Sequence, residues 1–188
     1  MDLSCDLEYF TRMGRLNGVV VAGDSKPLFK PGTLFNSKEK WWQGKGQRRT
    51  AHEGLDICFF QSDYGKLETI DSGWKVPVLW SGTVVRICDD FLGRTVIVSH
   101  GSPETQANEL MSLYAHLQPE TWLERGKHLD GDDVLGRIAA IDADKTSILP
   151  HLHISLLWNE FPFASAHLEW ERLSQRQGVI FVDPLSYL

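Results

Sequence analysis

Cysteine is scarce in this chain of 188 residues, and its spacing forms no metal clip: Cys5, Cys58 and Cys88 are odd in number and show no C-x-x-C motif. That excludes a disulfide framework and a four-cysteine zinc site, and the three thiols are read as buried. Long apolar runs are missing too. The longest, at 76–80 and 154–158, fall well short of the ~20 residues a membrane-spanning helix requires. Basic charge is not in excess either. Lys plus Arg number 19 against 25 Asp plus Glu, a formal charge of −6, and the only basic cluster runs from 38 to 49, so nucleic acid is not the expected partner. The first sixteen residues carry acids where a secretory leader carries lysines, and they lack a continuous apolar stretch. The expectation is a chain that acts inside the cell or is exported by a signal outside this sequence.

What is present is ordinary globular material, 42% hydrophobic and 23% charged, without repeats or low-complexity tracts. At this size folding buries about 70% of the unfolded chain's surface, enough for a core that needs no staples. Residues 1–47 read as an N-terminal arm and loop. The arm suggests a short helix or extended segment, and the stretch from Pro27 to Gly46 is a Lys-, Gly- and Pro-rich loop that holds the pair Trp41 and Trp42. From residue 48 the texture changes. β-branched and aromatic runs (VPVLW at 76–80, GTVVRIC at 82–88, RTVIVSH at 94–100, LMSLYAHL at 110–117, VLGRIAAI at 134–141, HLHISLLW at 151–158) alternate with Gly, Asp and Ser breaks. That pattern predicts a mainly β domain built on an antiparallel sheet. Two short helices are expected as well, at 119–126, where Pro stands early and Gly late, and at 165–175, which is rich in helix formers.

Seven histidines are unevenly placed. His52 and Asp56 stand four apart in HEGLD. His151 and His153 stand two apart at the start of a strand-like run, so their imidazoles share a face. His116 lies in LYAHL, with Tyr114 two residues back on the expected same face. Together these residues offer three nitrogen and oxygen ligands plus two further imidazoles, the inventory of a catalytic zinc site with its fourth position left to water. The spare imidazoles suit proton transfer near neutral pH. His100 reads as a strand-end residue, His128 and His167 as solvent-facing, Trp41 and Trp42 as candidate walls of a substrate groove, and Arg48 with Arg49 as a solvated loop edge.

The ordered series HEGLD, SGTVVRI, RTVIVSHG, LYAHL, GKHLDGDDVLGRI, PHLHISL and VDPLSYL resembles the lysostaphin-like, LytM-domain zinc metalloendopeptidases, which cut peptide cross-links of bacterial peptidoglycan. The resemblance implies a twisted antiparallel sheet with a metal-site groove over 48–188, and insertions near 57–75 and 159–178. It implies one Zn²⁺ per chain, held by His52, Asp56 and His153, with His116 and His151 as the non-ligand catalytic histidines. A peptidoglycan peptide is the implied substrate, and the cell envelope is the implied location. Departures surround the expected groove: Thr50 stands where the family often has Arg, and the loop before His151, DADKTSILP, contains no glycine. Two other readings remain, a non-catalytic LytM-like module that binds or regulates another wall hydrolase, and a small cupin-like barrel. Oligomeric state is not legible.

Overall fold

A computed structural model describes residues 8–19, 26–42, 46–61, 67–101, 108–142, 144–160, 173 and 177–188. Cys5, His167 and, apart from Leu173, the expected helix at 165–175 lie outside the described residues. The chain opens on α1 (Glu8–Leu16) and continues as a short β1 (Lys26–Pro27) and a single 3-10 turn (Pro31–Thr33). The strands β2 (Leu55–Ile57), β3 (Phe59–Gln61), β4 (Leu67–Thr69), β5 (Lys75–Pro77), β6 (Gly82–Asp89) and β7 (Arg94–Ser99) follow. The rest comprises β8 (Glu109–Pro119), β9 (His128–Leu129), β10 (Val134–Ile138), β11 (Leu152–Asn159) and β12 (Val179–Val182).

Nine strands form one antiparallel sheet, ordered β12-β11-β8-β7-β6-β9, with β2 paired to β11 and β10 joining β8 to β5. The protein is therefore mainly β, as its alternating texture predicts. A smaller sheet, β1-β3-β4, holds part of the insertion expected at 57–75. Among the described residues, no helix is long and apolar enough to cross a membrane.

The central strands are buried on both faces, which is why they read as continuous apolar runs. Val96, Val98, Tyr114, Leu152, Ile154 and Leu156 point into the larger core. Ile97, Met111, Leu113 and Leu157 point the other way into a second cluster that includes Leu173. Alternation thus puts His153 and Ser155 on the face of Leu157.

The N-terminal helix belongs to the larger core, where Tyr9, Phe10 and Met13 are buried. It docks through polar contacts to β5 and the residues after it: the Arg12 guanidinium donates to Val78 O at 2.6 Å, and Asn17 exchanges two hydrogen bonds with the Lys75 backbone. Residues 119–126 are not the helix expected from their Pro and Gly. Glu120 N donates to Leu135 O and Gly126 N to Val84 O, so the sheet claims backbone groups that a one- or two-turn helix would need. So short a helix is too costly to nucleate against that competition.

If α1 is part of this core, Phe10→Ala should lower the unfolding free energy by about 3–5 kcal/mol, the usual cost of emptying a buried phenylalanine site. Urea denaturation measures it, and a loss under about 1 kcal/mol would mean that the arm only rests on the sheet.

Candidate metal centre

The site forms where β2 and β11 pair. Asp56 and His153 are direct cross-strand neighbours, so one register brings a carboxylate and an imidazole from residues 97 apart onto one face. Gly54 permits the approach: a Cβ there would collide with Ile154 O and stand 2.6 Å from His153 Nε2 and 2.7 Å from Ser155 Oγ. His52, just before β2, is bracketed by the N-terminal loop through His52 N to Ser37 O and Asn36 N to His52 O. Its Nδ1 lies 3.0 Å from Leu34 O.

Three donor atoms converge. His52 Nε2 lies 3.1 Å from Asp56 Oδ1 and 3.1 Å from His153 Nδ1, and His153 Nδ1 lies 2.8 Å from Asp56 Oδ1. A tetrahedral ion with bonds of ~2.0–2.1 Å sets its ligand atoms roughly 3.3 Å apart, so the triangle needs only a few tenths of an ångström of expansion. The outer nitrogens fix the tautomers that a metal requires. His52 Nδ1 faces a carbonyl and so carries a proton, which leaves Nε2 as a lone pair, and His153 Nε2 meets Ser155 Oγ at 2.9 Å while its Nδ1 points inward. Lone pairs and a carboxylate aimed at one another within about 3 Å repel unless a cation lies among them. All three groups are buried, Asp56 at 2% exposure, and the donor set fits zinc.

The outer oxygen of Asp56 has its own partners. Trp41 Nε1–H donates to Oδ2 at 2.6 Å, and the Arg48 guanidinium donates to it at 3.1 Å. Residues 38–42 and 46–48 deliver both, tied to each other by Lys40 N to Gly46 O, Arg48 N to Lys38 O and the bridge between Glu39 and Gln47. Trp41, read from sequence as a groove wall, therefore holds the carboxylate directly and also packs edge-on to His151 at 5.0 Å. The arginine pair divides: Arg49 is exposed, whereas Arg48 is an inward group and not a solvated loop edge.

His151 and His116 stand beside the three donors. His151 Nδ1 lies 2.8 Å from Leu149 O, which leaves Nε2 toward the site, 3.8 Å from Asp56 Oδ1. His116 sits 4.7 Å, ring to ring, from His151. Its position corrects the same-face expectation drawn for Tyr114. The pairing of β7 with β8 slips between Arg94↔Leu117 and Val96↔Tyr114, so Ala115 and His116 together oppose Thr95 in a bulge. His116 has φ of 66°. Strict alternation would send His116 into the core with Tyr114, and the bulge re-aims it into the cleft. Tyr114 instead accepts a hydrogen bond from Leu79 N deep in the core.

A cleft of about 190 Å³ opens onto these groups, with Trp42, Phe91 and Ile148 among its walls. His100 lies outside it, bonded to Ser81 O and Ser112 Oγ, which agrees with a strand-end role, and His128 is exposed. One contact had no obvious sequence signal: Asp90 Oδ1 is 3.0 Å from His116 Nδ1, and Asp90 Oδ2 accepts from His116 N at 2.9 Å. The D-D-x-x-G pattern announces an Asx-type turn but not a partner 26 residues further on.

Burial shapes the titration. It pushes the His151 imidazole down to about 4 against the opposing charge of Asp56, and it lowers His153 as well. In the metal-free chain, where these imidazoles can carry protons toward the carboxylate in place of an ion, burial would raise Asp56, but the charge of His52 and hydrogen bonds from His153 and His52 outweigh it, so the carboxyl lies well below its usual range.

No family model matches the chain, and no curated protein matches it in sequence. Among the solved structures similar to it are the three that follow. One is the solution structure of lysostaphin, at 17% identity over 73% of this chain and 52% of that one, with a TM-score of 0.44. Another is the catalytic domain, in an alanine-to-histidine mutant, of the prophage-encoded M23 protein EnpA from Enterococcus faecalis, at 17% identity over 77% of this chain and 94% of that one, with a TM-score of 0.43. The third is LytU, at 16% identity over 81% and 92%, with a TM-score of 0.43. The chain spans about half the length of the lysostaphin structure.

Two outcomes follow from the site's geometry. Trp41→Phe, which removes the indole donor to Asp56 and part of the ring beside His151, should weaken zinc binding about 10- to 100-fold, the usual cost of losing an outer partner of a ligand. Competition with a chromophoric chelator measures it, and an affinity unchanged within twofold would count against an orienting role. The second outcome concerns acid. The unfolded chain protonates His151 near ~6.5, whereas the folded chain refuses the proton until about pH 4. Across that window the unfolded state binds more protons, so stability falls as pH falls, and the depressed Asp56 adds a loss of the same sign at lower pH. The Tm of the metal-free chain should therefore drop steadily from pH 7 to 4, and His151→Ala should flatten the drop above pH 4. A Tm indifferent to pH would contradict the burial of a neutral His151.

Proposed function

We propose that this chain is a zinc-dependent endopeptidase that hydrolyses amide bonds in the stem or cross-bridge peptides of peptidoglycan, acting in the cell envelope. The observation that carries the reading is the convergence of His52, Asp56 and His153 on one point, with His116 and His151 lining the same small cleft. When bound, zinc supplies Lewis acidity, polarising a carbonyl and making water acidic near neutral pH.

The chain's own residues supply the rest. His52 Nε2, His153 Nδ1 and Asp56 Oδ1 would hold the ion, while Trp41 and Arg48 engage Asp56 Oδ2 and leave Oδ1 to the imidazole side. His116 and His151 each tie up their outer nitrogen and keep the inner one for proton transfer on the substrate side. Trp42, Phe91 and Ile148 offer apolar walls for a peptide. Paired carboxylic acids, which a glycosidase needs, are not what this cleft presents. Its acids are Asp56, committed to the histidines, and Glu53.

Digestion of purified peptidoglycan by the zinc-loaded chain should release new amino groups and no new reducing ends, and a chelator should stop it. His153→Ala should lose the metal, whereas His116→Ala and His151→Ala should retain it and lose about 10²–10⁴-fold in rate. New reducing ends would reassign the enzyme to glycan chemistry. A filled zinc site with no product from any wall type would favour a non-catalytic binding module, and equal metal loss in all three variants would overturn the division of roles.

A further inference from the structure

We propose that Asp90 is the positioning residue for His116, fixing the ring with its proton on Nδ1 and so presenting Nε2 to the cleft as the proton acceptor of the reaction. This inference rests on the hydrolase reading above. On that reading, the proton taken at Nε2 comes from the attacking water as its oxygen bonds to the carbonyl carbon. The proton then passes to the amine nitrogen as the C–N bond breaks.

The argument begins with Asp90's hydrogen bonds. Its side chain is 3% exposed and meets five polar groups, three of them backbone N–H donors. Leu92 N at 2.9 Å, Gly93 N at 2.8 Å and His116 Nδ1 at 3.0 Å meet Oδ1, while His116 N at 2.9 Å and Thr95 Oγ1 at 2.9 Å meet Oδ2. A carboxylate has about four lone-pair sites and, when ionised, no proton to give, so five contacts leave it as acceptor only. Burial would raise its carboxyl, but the hydrogen bond and charge of His116, together with the backbone donors, outweigh that and hold it low. Asp90 is thus a fixed anion, and Nδ1 of His116 must be the donor.

Asp90 also determines where the ring stands. A left-handed φ in a residue other than glycine is strained and persists only when its surroundings over-determine it. Here one carboxylate grips both the backbone N–H and the ring of His116, at the bulge that turns the side chain into the cleft. Gly93 lets this turn lie against β8, since a Cβ there would stand 2.8 Å from Leu117 O and 3.2 Å from His116 C. His151 has no such support, because its Nδ1 faces the neutral carbonyl of Leu149. The anion nearest His151 is Asp56, 3.8 Å from its Nε2 and shared with His52 and His153, whereas Asp90 meets the outer nitrogen of His116 directly at 3.0 Å and can offset the positive charge of a second proton, and that difference assigns His116 the acceptor role.

The ring itself can be read without any substrate. In the zinc-loaded protein labelled with ¹⁵N-histidine, long-range proton–nitrogen correlation should show His116 as the Nδ1–H tautomer, the signal being identified by its absence in His116→Ala. An Nε2–H tautomer there would overturn the proposal whatever the activity. Asp90→Asn should lose that tautomer preference, keep its zinc, and lower kcat about 10²-fold or more with KM unchanged. In the His116→Ala background the same substitution should cost under about threefold, because a residue acting through the ring has nothing left to act on. A full additive loss in the double variant would show a merely structural role, and an unchanged kcat in an active enzyme would also overturn the proposal. If the wild-type chain cleaves no wall peptide, the hydrolase reading fails and so does the acceptor role, while the spectrum still decides the orientation. Should Asp90→Asn fail to fold, the wild-type spectrum alone decides.

Discussion

A buried carboxylate, Asp56, is the constraint around which the functional end of this protein is organised. At 2% exposure it has no water to solvate its charge, and an unpaired anion in such a place is prohibitively costly. Every neighbouring element therefore contributes a partner. β2 carries Asp56, β11 brings His153 across the ladder, His52 stands four residues before, and the segments on either side of 43–45 bring Trp41 and Arg48. The division of labour between the two oxygens follows. The outer one is saturated by neutral and cationic donors of the loop, and the inner one is left to the imidazoles, so the carboxylate has one direction in which to bind an ion.

The sheet supplies the rigidity this arrangement needs. β11 lies between β2 and β8, and its apolar residues anchor it on both faces. A ligand on such a strand cannot drift without dragging packed side chains along. The N-terminal segments take part in the same economy of contacts. α1 closes the large core, and the chain after it reaches the site as the carbonyl of Leu34 behind His52. The N-terminal segments and the sheet are thus joined mechanically at the three converging donors.

The two histidines beside the donors illustrate how similar side chains become different. Both are buried, both keep an inner nitrogen for the cleft, and their rings are neighbours. Their outer partners differ in charge, a carbonyl behind His151 and a carboxylate behind His116. Backbone geometry differs as well, since His151 enters a regular strand whereas His116 stands on a bulge with a left-handed φ.

Much was legible from residue types and local spacing. β-branched runs broken by turn residues announce a mainly β protein, because the pleated strand imposes a period of two on any chain that forms it. The H-x-x-x-D and H-x-H spacings offer candidate donors, because ligand chemistry belongs to the side chain wherever it lies, but the choice of His52, Asp56 and His153 among them came from the family resemblance and not from the spacing. The short helix expected at 119–126 failed because its backbone groups bond to distant strands, which no local propensity records. The same limit hid the bulge that separates His116 from Tyr114, the loop that turns Trp41 and Arg48 onto Asp56, and the carboxylate of Asp90 behind His116. Each depends on pairing register, or on a contact between segments far apart in the chain. Composition and periodicity are properties of neighbouring residues, and so the sequence by itself determined the kind of sheet and the side chains on offer as donors. Which nitrogens and which carboxylate oxygen face one another, and which histidine has a carboxylate at its outer nitrogen, depend on how distant strands meet, and only the tertiary structure decided those.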